Sequence, residues 1–252
     1  MRFAKAVVLS ALILSTTSAH AAVMSFRSEM MVDVALLDFR DAQGNVLAMK
    51  PSDVFGWAEW SVFRQETQTL PDGSAEALAD PAFLGGDPDN LDAGDLLRLS
   101  GVTSGSTSTG AAEAWSWVDG SMGFLNLSTE TDYQVRLGLS WSYTLSVVET
   151  ALADLSLQTA LLSDGSSPFS LEKSLAHSGS LVESGSREIT LALPKEGVEQ
   201  IVLAHDVHGQ ANLPEGSAVA YIVSGILFIA ACMLPTARGR QRLWSLCRGR
   251  SA

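Results

Sequence analysis

The sequence predicts an all-β protein: an antiparallel, jelly-roll-like β-sandwich forming an ectodomain, followed by one C-terminal transmembrane helix. Three observations predict this. From Tyr133 to Val147 every odd position is apolar, and nearly every even one is polar or glycine. Shorter runs repeat that alternation between turns rich in Gly, Ser, Asp and Pro. Near the end, Ser217 to Leu234 gives 18 residues without a charge, followed closely by arginines. A period of two means a strand with one dry face and one wet face. Several such strands between turn signals argue for a sandwich, and an uncharged run of that length meets the threshold for a membrane span.

Residues 1–22 read as a secretory signal peptide. Arg2 and Lys5 give a positive start, Ala6 to Leu14 a short apolar centre, and Ala19-His20-Ala21 the small-x-small form that signal peptidase cleaves. That apolar centre is too short to cross a bilayer. Residues 23–212 then form the sandwich. Met31 to Met49 reads as two strands around a Gln43-Gly44-Asn45 turn, and Gly56 to Leu70 as a strand ending at Pro71-Asp72-Gly73. Glu76 to Leu97 reads as an acidic loop with room for a short helix. Ser100 to Ala112 is low in complexity and reads as a mobile loop. Ala112 to Val118 alternates again. Asp132 to Glu149 is the clearest strand, long enough that a bend or bulge is expected at Gly138. Two Ser/Gly-rich connections, Leu162 to Pro168 and Ser178 to Ser186, precede a strand at Arg187 to Pro194. A Pro194-Lys195-Glu196-Gly197 turn leads into the last strand, which ends near Ala211.

Charge and cysteine usage narrow the function classes. Two of the 16 Lys and Arg lie in the signal and five follow residue 237, whereas all 28 Asp and Glu fall between Glu29 and Glu215. The exported body therefore carries nine basic against 28 acidic groups, which argues against a nucleic-acid partner. The chain's only cysteines, Cys232 and Cys247, lie in or beyond the apolar run, so the body has none. The body thus folds without disulfides, has no thiol nucleophile, and needs a hydrophobic core of its own.

Four features bear on chemistry. His177, His205 and His208 are the body's histidines, but no G-x-S-x-G elbow accompanies them, so the chain does not read as an enzyme. In His205-Asp206-Val207-His208 a strand would put Asp206 and His208 on one face and His205 on the other, with no third metal ligand nearby. Asp87, Asp89, Asp92 and Asp95 supply carboxylates of the kind calcium takes, though not at the spacing of a twelve-residue helix-loop-helix site. Trp115 and Trp117 share a strand face and are either buried together or form a small platform able to stack on sugars.

The tail orders Pro214 and Glu215, the uncharged span 217–234, then Arg238, Arg240 and Arg242. Basic residues stay on the cytoplasmic side, which places the acidic body outside and residues 235–252 inside as a basic cytoplasmic tail. This order resembles the PEP-CTERM sorting signal of exported proteins from Gram-negative bacteria that make exopolysaccharide. Residues 213–216 form a degenerate motif, with Gly216 where that family has proline. The closing strands, Glu183 to Gly197 and on to "HGQANLPE", are similar in style to such proteins. The resemblance implies an exosortase-type processing enzyme that cuts near Pro214-Glu215, signal peptidase and the membrane as earlier partners, and extracellular polysaccharide in the final setting. It implies a structural protein of the envelope or matrix. The other reading left open is a carbohydrate- or calcium-binding surface module held permanently by its single transmembrane helix.

Overall fold

The structure is a computed structural model and describes residues 23–108 and 110–212. These form eleven strands: β1 (Met24–Asp41), β2 (Val54–Thr69), β3 (Ser74–Ala79), β4 (Ala82–Leu84), β5 (Leu96–Thr107), β6 (Ala111–Asn126), β7 (Tyr133–Val148), β8 (Leu152–Leu161), β9 (Ser170–Leu175), β10 (Gly179–Leu193) and β11 (Val198–Asn212). They build two sheets, and every strand pairing is antiparallel. One runs β10-β7-β1-β5-β3, with β4 also on β5. The other runs β2-β6-β11-β8-β9. The nested order of a jelly roll is not reproduced: the first strand lies between β5 and β7, and the last strand lies in the other sheet.

The alternation seen in the sequence decides which face is dry. Val135, Leu137, Leu139, Tyr143, Leu145 and Val147 of β7 are all buried. Phe26, Met30, Val32, Val34 and Leu36 of β1 and Leu97 and Leu99 of β5 lie on the same face. Val118, Met122 and Phe124 of β6, Leu155 and Leu157 of β8, and Ile201, Leu203 and Val207 of β11 come from the opposite sheet into the same core cluster. This burial is the main favourable term in folding the described residues, which contain no cysteine.

The outer face of the β1 sheet is polar and cross-braced. Arg98 makes two parallel bonds to Asp33, at 2.7 and 2.8 Å. Arg136 joins Asp38 on one side and Glu188 on the other. Such cross-strand pairs fix register more than they add stability.

Several expectations are corrected. The bulge is in β1 and not at Gly138: the β1–β7 register shifts between Leu36 and Asp38, opposite Leu137 and Arg136, and the side chain of the extra residue, Leu37, lies over the bare glycine. Ser100 to Ala112 is not a loop but most of β5 and the start of β6. Ser178 to Ser186 is not a connection but runs into the first half of β10. The acidic segment holds β3, β4 and a loop, and no helix. Past Asp41 the expected second strand shrinks to a single bridge, Arg40 to Val46. Strands β8 and β9 lie where the sequence pattern predicts no strand. The turns at Gly44, Asp72-Gly73 and Glu196-Gly197 form where expected, with Asp72 in the left-handed region at φ 69°.

Among the described residues no helix is long and apolar enough to cross a membrane. The signal peptide, the sorting motif, the span 217–234 and the basic tail all lie outside the described residues, apart from their junctions at 23 and 212.

Candidate functional site

The last strand brings the body's most unusual chemistry together. On β11 the even positions face outward, so His205 enters the core while Asp206 and His208 share the outer face. His205 is fully buried, and its Nε2 donates to the Met30 carbonyl at 3.1 Å. Burial depresses it to about 4, against the two backbone hydrogen bonds that raise it. It is therefore a neutral core histidine.

His208 behaves in the opposite way. It lies on the outer face yet is only 2 % exposed. Its Nε2 meets Glu113 Oε1 of β6 at 3.2 Å and its Nδ1 meets Asp154 Oδ2 of β8 at 3.3 Å. Burial alone would push the imidazole down, but Asp154 and Glu113 outweigh it and lift the group to about 9. Glu113 is in turn held below the usual carboxylate range, first by its bond from His208. At neutral pH the ring is an imidazolium with both nitrogens donating, so it offers no lone pair to a metal or to a nucleophile's proton.

The indole of Trp115 covers this ion triad. Its ring lies 4.4 Å from the imidazole, centroid to centroid. Its Nε1 donates to Asp206 Oδ1 at 2.7 Å, and the Arg64 guanidinium sits 4.0 Å over the ring. Burial raises Asp206 to about 6, opposed by the Trp115 bond. Trp117, two residues on, packs against Phe63 at 5.6 Å and donates to Asp119 Oδ1 at 2.7 Å. Phe63 is the extra residue of a bulge where the β2–β6 register shifts between Val62 and Arg64. The two tryptophans do share a face, as expected. However, Trp115 is covered by His208 and Arg64, and Trp117 is stacked on Phe63, so neither indole is a bare platform for a sugar.

Neither a family model nor a curated protein matches this chain. Among solved structures, the chain is similar to a DUF4425 family protein from Bacteroides ovatus, at 10 % identity over 67 % of this chain and 95 % of that one, with a TM-score of 0.16. It is also similar to a GH2 β-galacturonidase from Eisenbergiella tayi, at 8 % identity over 71 % of this chain and 41 % of that one, with a TM-score of 0.13. At such TM-scores neither likeness carries an argument about fold or activity.

The acidic loop holds its carboxylates apart. Asp95 accepts the N–H groups of Gly86 at 3.0 Å and of Asp92 at 2.8 Å. Asp87 accepts from Asp89 N in a local turn. The Lys50 ammonium bonds Asn90 and the Leu91 carbonyl and lies 3.5 Å from Asp92. Among the described residues no group of three or more His, Cys, Asp or Glu is placed to hold a metal. The cation of this loop is Lys50. Asp95→Ala should destabilise the body by about 2 kcal/mol, because it leaves two backbone donors without their acceptor. Millimolar calcium should leave the melting temperature of the unaltered protein where it was. A calcium-dependent rise abolished by Asp89→Ala would contradict this account of the loop.

Pro214 and Glu215 lie outside the described residues. The triad Glu113–His208–Asp154 is what sequence reasoning missed. Its partners are 95 and 54 residues from His208 along the chain, and only the strand order β6-β11-β8 makes them neighbours.

Proposed function

We propose that this chain is an exported structural protein of the cell envelope or extracellular matrix, carrying a C-terminal PEP-CTERM-like sorting signal. The observation that carries the reading is the tail itself: Pro214-Glu215, 18 uncharged residues, then Arg238, Arg240 and Arg242. In this reading the 217–234 segment is a membrane-spanning helix, and the arginines stop it from passing further. An exosortase-type enzyme recognises the segment, cuts near Pro214-Glu215 and passes the body to the surface, where it meets polysaccharide.

Two features of the body support the reading. It is acidic and free of cysteine, which suits a soluble surface protein that must fold without oxidation. Its most unusual buried charges are tied up in a structural triad with no free lone pair on His208, which suits a protein that is processed by an enzyme and is not one.

The test is a Pro214→Ala, Glu215→Ala double variant, followed by cell fractionation. The unaltered chain should appear at the surface or in the medium, and the variant should accumulate in the inner membrane. An unchanged distribution would contradict the sorting reading and leave a standing anchor.

A further inference from the structure

We infer that the body self-associates through β10, edge to edge and antiparallel, about a two-fold axis at Gly185. This goes beyond the sorting reading and does not depend on it.

Sheets end in strands whose outward backbone groups invite pairing, and proteins ordinarily blunt them by shortness, bulges, proline or a covering loop. Three of the four sheet ends here are blunted. The β3/β4 end is broken into six and three residues, with Pro81 between them. Strand β9 has six residues. Strand β2 is long, but it is bulged at Phe63, and its Gly56 and Ala58 are bonded to Leu91 and Pro88 of the acidic loop. Strand β10 has none of these devices. It has 15 residues, an unbroken register with β7 from Gly179 to Leu193, and no proline or lysine. Among the described residues, no backbone hydrogen bond from Gly179–Ala192 runs outside the ladder with β7.

The side chains select a second copy as the occupant, and they select its register. Facing residues of an antiparallel pair share a face, so a two-fold axis perpendicular to the sheet must pass through a residue position. Centring on Glu183, Arg187 or Glu188 puts like charges on the axis. Centring on Val182, Ser184 or Ser186 sets no acid opposite a base. Centring on Gly185 sets Glu183 of each copy opposite Arg187 of the other, twice. The same register sets Leu181 opposite Ile189 and Ser184 opposite Ser186, with no side chain at the axis. Arg187 is exposed and has no ion pair within the described chain. Glu183 is also exposed; its Oε2 accepts from both Lys173 and the Tyr143 hydroxyl. Ile189 is buried and Leu181 half-buried, so their pairing across the joint continues the core stripe of one copy into the next. The product is one continuous sheet running through both copies.

The full chain, purified in mild detergent, is examined by sedimentation equilibrium at about 100 μM, because a single strand pair is a small interface. A dimer is expected. Arg187→Glu should weaken dimerisation about tenfold or more, since it turns two attractions into two repulsions. Glu183→Lys should do the same. Mixing the two variants should restore a heterodimer, which also shows that both remain folded. Chains carrying Ser184→Cys and Ser186→Cys, in a Cys232→Ser, Cys247→Ser background, should be linked by a short bifunctional thiol-alkylating reagent, such as a bis-maleimide, when mixed, and far less when either is alone. A monomer at this concentration overturns the inference. A dimer indifferent to Arg187→Glu, or one that links Ser184→Cys to itself as readily as to Ser186→Cys, overturns it as well.

Discussion

Replacing His208 with leucine should destabilise the body by about 3 kcal/mol, the largest single effect expected outside the hydrophobic core. The substitution removes the cation between Glu113 and Asp154, while Asp206 stands close by on the same face. The carboxylates are about one-third exposed, so water offsets part of the penalty of a fully buried broken pair. The effect also has a pH signature. In the folded chain His208 titrates at about 9, above its ordinary 6.5. Its stabilisation is therefore fully present below about pH 6.5 and is lost as pH rises through 9. Unfolding by urea should show stability falling across that window in the unaltered protein and staying level in His208→Leu. Parallel alkaline limbs in the two proteins would show that the triad is not charged as described.

Phe124→Ala should cost about 4 kcal/mol. The ring is fully buried near the C-terminal end of β6, edge-on to Phe39 with centroids 6.1 Å apart. It also fills the space over Gly56, where an added Cβ would meet the ring at 2.9 Å. Truncation removes the ring's contacts with both sheets, and β strands locked in two ladders have little freedom to close the void. Gly56→Ala should also destabilise, from the opposite side, by forcing the ring out of place. A loss under about 1 kcal/mol in Phe124→Ala, measured by the same urea unfolding, would mean that the two sheets do not meet through this residue.

How much of this was legible in the sequence depends on which physical signal each residue carries. Strand β7 could be read because its inner face is large and apolar while its outer face is Gln, Arg, Ser and Thr. Strand β5 could not, because Gly101 and Thr103 replace large side chains on its inner face. Gly101 lies against His205 of the opposite sheet, where an added Cβ would meet the ring at 2.7 Å. Close approach of the sheets required a composition that looks like a loop. The first half of β10 was hidden for another reason. It is an edge strand largely exposed on both faces, so it has no dry face to alternate. Strand β8 did carry a readable pattern in Ala153, Leu155 and Leu157, but its short length and small side chain at Ala153 weaken the contrast. At the site, the opposite facing of His205 and His208 followed from strand geometry alone. The identity of the groups around His208 did not, because it depends on which strands lie beside β11, and local pattern carries no information on that. The bulge at Phe63, which turns an aromatic ring onto Trp117, was equally out of reach.

The proposal that this chain is exported and then sorted by its tail is tested most directly by the intact mass of the protein recovered from the cell surface. The proposal predicts a chain that begins near Val23 and ends near Leu213 or Pro214, with the apolar segment and all five terminal arginines gone. A recovered chain that still runs to Ala252 would contradict it.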